Sequence, residues 1–87
     1  MYVILVYDIG ERRVSKMLKL CRCYLNWVQN SVFEGEISEV KLRELILKSK
    51  KIIDEKTDSI IIFKNHSGIS LERQVIGHEE SSIDNFL

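Results

Sequence analysis

The sequence predicts an α+β fold, with two helices packed on one face of an antiparallel sheet. Three observations point to it. The chain opens on a short apolar, β-favouring run, MYVILVYD at residues 1–8. Two longer stretches carry apolar residues at helical spacing. Further strand-like runs separate and follow those helices, and 87 residues suffice for a single domain. The organisation expected is one domain over residues 1–77 and a C-terminal tail over 78–87, flexible or docked on a partner.

The opening run is continuous enough to read as a strand buried on both faces. It is far short of the ~20 apolar residues a membrane helix needs. It ends on Asp8, where a strand leaves the sheet. Gly10 breaks the pattern. From Glu11 to Leu25, Val14, Met17, Leu18, Cys21, Tyr24 and Leu25 share one helical face. Arg12, Lys16, Lys19 and Arg22 gather on the opposite face, with Arg13 at its edge. Such a stripe is either a solvated face or a phosphate-contacting surface.

Residues 27–37, WVQNSVFEGEI, are strand-like around a polar break at Gln29-Asn30-Ser31. The break fits a hairpin turn or a kink in one strand. Gly35 suggests a bulge or a close backbone approach. Ser38 is a good N-cap for a second amphipathic helix reaching about Glu55. Its inner face is Leu42, Leu45, Ile46, Ser49, Ile52 and Ile53, with Val40 and Leu47 on the far side. After a turn at residues 56–58, SIIIFK at 59–64 is a second buried strand. NHSGIS at 65–70 is a loop, and LERQVIG at 71–77 is a half-polar edge strand. Strand, helix, strand or hairpin, helix, strand is the ferredoxin-like (βαββαβ) pattern. The extra C-terminal strand has no evident place in it, and its exchange onto the sheet of a second copy would relieve both edge and core.

Thirteen basic residues balance thirteen acidic ones, so no global field draws in nucleic acid. Residues 1–30, however, hold five basic against two acidic. Cys21 and Cys23, two apart on a helix, point in different directions and do not read as a disulfide or a zinc set. His66 and His78 stand alone in loops. No secretory signal pattern is evident, and the chain reads as cytoplasmic.

Asp8 admits two readings. With Glu11 three residues on, it has the spacing of a helix-capping pair. Alternatively it is a ligand for Mg²⁺, an ion usually held by one or two carboxylates together with substrate phosphate. One Asp8 is too little, but two copies in a dimer whose first strands approach would flank one ion. Arg12 and Arg13 open a helix where the dipole disfavours cations, which suggests another use such as phosphate binding. Ser31 and Phe33 read as turn and core residues.

VILVYDI at 3–9, Arg13-Val14, VQNSVFEGEI at 28–37 and ERQVIG at 72–77 follow one another in the order of a known family. Through them the chain resembles CRISPR-associated protein two, the small partner of the CRISPR adaptation integrase. The resemblance implies a ferredoxin-like homodimer whose last strand pairs with the partner subunit's sheet. It implies that Asp8 from both subunits binds catalytic Mg²⁺, with Mn²⁺ as a substitute, in an endonuclease acting on single-stranded RNA or double-stranded DNA during spacer acquisition for antiviral defence. Arg12, Arg13, Lys16 and Lys19 are then expected on nucleic acid, and Ser31 and Phe33 close to the site. The alternatives are a non-catalytic adaptor bridging the integrase on DNA, and a toxin-like ribonuclease of the same fold. Many relatives carry a basic residue just before the VQxSVF strand, where this chain has Trp27. That departure bears on the strength of nuclease activity more than on the fold.

Overall fold

A computed structural model describes residues 1–66 and 70–78. Strand β1 (Tyr2–Asp8) leads into helix α1 (Glu11–Arg22), then strands β2 (Asn26–Gln29) and β3 (Val32–Glu36). Helix α2 (Glu39–Ile52) and strands β4 (Ser59–Asn65) and β5 (Glu72–Gly77) complete the order. The sheet runs β2-β3-β1-β4-β5, with every neighbouring pair antiparallel. The first four strands have the ferredoxin-like arrangement. β1 is central because it is the most apolar strand and holds β3 on one side and β4 on the other.

Strand alternation sorts β1 between two faces. Val3, Leu5 and Tyr7 enter the core, where they meet Met17 and Cys21 of α1, Leu42 and Leu45 of α2, and Ile60 and Ile62 of β4. The α2 face matches the sequence expectation: Leu42, Leu45, Ser49 and Ile53 are buried, and Val40 and Leu47 are exposed. Ser38 caps α2 by accepting from the Lys41 amide at 3.1 Å. Cys21 is a free thiol in the core, pushed up to about 12 by burial, and Cys23 is a free thiol at the surface.

One expectation changes and the open alternatives are decided. Tyr2 and Ile4 are exposed, so β1 is buried on one face only. Both helices lie on the side of Leu5, and the opposite side has no second layer in a single chain. The polar break after Trp27 is a hairpin: Asn30, at φ 42, turns the chain and β2 pairs back on β3. The irregularity falls between Trp27 and Gln29, while Gly35 is the close-approach site, facing the Asn26 side chain. Finally, within the single chain β5 pairs with β4, from Ser59↔Gly77 to Lys64↔Glu72. The ferredoxin-like order leaves the outer edge of β4 open, and a connection of six residues is enough to fold β5 back onto it. The expected tail falls outside the described residues beyond His78.

Candidate functional site

Asp8 is the last residue of the central strand and lies level with Ser59 of β4. Alternation places it with Tyr2, Ile4 and Val6 on the face without helices. It is exposed, and no hydrogen bond or ion pair engages its carboxylate among the described residues. Core packing fixes its position from behind: Tyr7 is buried and stacks on Phe33, with ring centroids 6.0 Å apart. The Tyr7 amide donates to the Ser31 carbonyl at 3.1 Å. Ser31 and Phe33 therefore hold the strand end that carries Asp8.

The capping pair does not form. The N-cap of α1 is Gly10 and no side chain caps it. Ile9 and Gly10 separate Asp8 from a helix that begins only at Glu11, so Glu11 falls in the first helical position instead of the third. Asp58, in the turn before β4, supplies the carboxylate. It accepts from the Gly10 amide at 2.9 Å, from Arg13 Nε at 2.6 Å and Nη2 at 3.0 Å, and from the Asp54 amide at 2.8 Å. The fork of Arg13 and these two amides hold the Asp58 carboxyl well below the usual carboxylate range, although burial opposes them. The backbone carbonyl of Asp58 accepts from His78 at 2.7 Å, which fastens the end of β5 to the same turn. A Cβ on Gly10 would collide with the Arg13 guanidinium, and one on Gly77, at φ 91, with the Asp58 carbonyl. Gly77 is thus required by this junction, and a side chain at Gly10 would displace the Arg13 fork from Asp58.

The sequence-expected phosphate contacts now divide. Arg13 is locked to Asp58 with two of its nitrogens and serves the junction. Arg12, Lys16 and Lys19 are exposed with no partner among the described residues. They span eight residues of α1, roughly 10 Å at the helical rise. Arg22 continues the stripe but stands over Trp27, 5.5 Å from the ring centroid. His66 lies toward the far end of the sheet from Asp8, with Glu72 at 3.5 Å and Glu39 at 3.9 Å.

Among the described residues no three acidic, histidine or cysteine side chains come together as a metal cage. Asp8 offers a hard, unpaired oxygen donor, which fits Mg²⁺ when a second carboxylate and substrate phosphate complete the shell. Sequence reasoning singled out Asp8 and the basic stripe as candidates and did not single out Asp58. Asp58 reads locally as a turn residue, and its partners Arg13 and Gly10 lie 45 and 48 positions away.

Fold and site together define a class: a small ferredoxin-like domain with a free carboxylate at the end of its central strand and a basic first helix beside it. Residues 1–68 match the family model described as CRISPR associated protein Cas2, and the chain belongs to that family. It is 45% identical over 87 residues to the CRISPR-associated endoribonuclease Cas2 of Pyrococcus furiosus, covering 100% of both chains. It is 46% identical to that of Thermotoga maritima, covering 100% of this chain and 99% of the relative. A crystal structure of a Cas2 protein superposes with TM-score 0.68 at 40% identity, covering 93% of this chain and 91% of that one. The Streptococcus pyogenes Cas2 structure gives TM-score 0.70 at 35% identity, covering 76% and 87%. No helix of the described residues is long and apolar enough to cross a membrane.

Proposed function

We propose that this chain is a metal-dependent endonuclease of CRISPR spacer acquisition, hydrolysing phosphodiester bonds in single-stranded RNA or double-stranded DNA as a homodimer. The observation that carries the reading is Asp8, an unpartnered carboxylate fixed at a strand end beside exposed cations. The relatives' name as endoribonucleases supports the activity. The face that bears Asp8 also bears exposed Tyr2 and Ile4 and half-buried Val6, Val32, Ile61 and Phe63. An apolar sheet face of this kind suits contact with a second copy. A copy laid over it brings its own Asp8 to the same seam.

In this reading Mg²⁺ supplies Lewis-acid polarisation and a nucleophilic water when bound. The two Asp8 carboxylates would hold it. Arg12, at the start of α1, neutralises substrate phosphate. Phe33, Tyr7 and Ser31 keep each Asp8 in register. The test is cleavage of single-stranded RNA and duplex DNA by wild type, Asp8→Ala and Asp8→Asn, with and without Mg²⁺. Both variants should cleave about 10²–10³-fold more slowly than wild type. Wild-type cleavage by both would remove Asp8 from the chemistry.

The free stripe of Arg12, Lys16 and Lys19 favours a second reading, a DNA-binding adaptor for the integrase that needs no cleavage. Phosphate contacts of this type weaken as salt rises and act on all sequences alike.

A further inference from the structure

We propose that Trp27 is a stacking platform for an unpaired nucleobase, so that the chain binds single-stranded nucleic acid across the edge formed by α1 and β2. This deepens the nuclease reading and rests on its premise that the chain engages nucleic acid. Trp27 is the only tryptophan. It lies on the edge strand β2, level with Phe33, yet it is 50% exposed where Phe33 is fully buried. Leaving so large an apolar ring half in water is unfavourable unless something covers it.

The ring is nevertheless held in place. Its Nε1 donates to the Asn30 carbonyl at 2.9 Å across the hairpin turn, and the Arg22 guanidinium stands over it at 5.5 Å. A hairpin pin needs only the N–H bond; it does not need the exposed ring. A fixed ring loses little freedom when a base stacks on it, so its binding energy is not offset by ordering. The guanidinium adds a positive charge at the same point, which suits a base whose phosphate lies alongside.

From Trp27 the cations Arg22, Lys19, Lys16 and Arg12 run back along α1 at one per helical turn. An aromatic face beside a track of cations is the arrangement that binds single strands: cations follow phosphates and the ring takes a base. A duplex keeps its bases stacked inside and offers the ring no face. The ligand class is therefore an unpaired strand, recognised by stacking and tolerant of sequence.

Because Trp27 is the sole tryptophan, its own fluorescence reports the site. The full chain is titrated with a short oligouridylate, an oligothymidylate and a duplex at equal phosphate concentration. Both single strands should quench the emission saturably, with the sugar preference read from their relative midpoints, and the duplex should not. For the variants, which lack the tryptophan reporter, binding is followed by the anisotropy of a labelled oligonucleotide, and Trp27→Ala should weaken single-strand binding about tenfold, the expected effect of losing one stacked base. Trp27→Phe should keep most of it, and both variants should bind duplex as wild type does. Single-strand affinity unchanged in Trp27→Ala, or duplex affinity lost equally, would overturn the proposal. If that happens while Asp8→Ala still abolishes cleavage, the stacking site alone is wrong. If wild type neither binds nor cleaves any nucleic acid, the nuclease reading falls with it.

Discussion

Two carboxylates stand at the same end of adjacent strands, and they are opposites. Asp8 closes β1 and Asp58 immediately precedes β4, where Asp8 is level with Ser59. Asp58 is 1% exposed and accepts from an arginine fork and two backbone amides. Asp8 is exposed and accepts from nothing among the described residues. Fixed donors surround one acid, which leaves it no capacity for a ligand. The other is held only by its backbone, with its oxygens free. Asp58 joins α1, the α2–β4 turn and the end of β5, whereas Asp8 is exposed on the sheet face that carries no helix.

The comparison breaks most visibly in activity. Asp8→Ala should lower cleavage by about 10²–10³-fold, the several kcal/mol a bound metal contributes to transition-state charge. Chelation should drive wild type to the same floor, with recovery on adding Mg²⁺. Melting of Asp8→Ala should match wild type, since no contact is lost.

Asp58→Ala should behave in reverse. Removing the acid leaves the Gly10 and Asp54 amides and the Arg13 fork without their acceptor. A loss of about 3 kcal/mol is expected in chemical denaturation. For a domain of this size that is a fall in Tm of roughly 10–20 °C. Cleavage per folded molecule should stay near wild type below the transition.

A smaller effect is expected from the exposed stripe. Lys16→Glu with Lys19→Glu should weaken binding to all duplex sequences and reduce the slope of log affinity against log salt by about two. Fluorescence anisotropy at several salt concentrations measures both, and an unchanged slope would free these lysines from any phosphate role.

The smallest effect is in acid. The carboxyl of Asp58 lies below its unfolded value, so its contribution is complete above the ordinary carboxylate range, about pH 4, and is lost as pH falls toward the folded value. Tm measured between neutrality and strong acid should therefore fall less steeply below about pH 4 in Asp58→Asn than in wild type.

Periodicity made much of this fold legible. The inner face of α2 from Leu42 to Ile53 follows from local spacing, because the helix buries a face of its own. The Ser38 cap is legible for the same reason. The exposed side of β1 was not, because an apolar run does not say whether a second layer exists. The pairing of β5 with β4 was not legible either, because the open edge of β4 appears only once the strand order is known. At the site, Asp8 and the cations of α1 stood out by type and spacing. The role of Arg13 did not: the same residue suits phosphate and Asp58 equally, and only the fold brings Asp58 to it.

The most direct measurement pairs the isosteric variants Asp8→Asn and Asp58→Asn, each assayed for Mg²⁺-dependent cleavage and for Tm in one buffer. Asp8→Asn should lose cleavage and keep its Tm, and Asp58→Asn should lose Tm and keep cleavage per folded molecule. Equal loss of both properties in both variants would mean that the two acids form one structural unit, contradicting the division drawn between them.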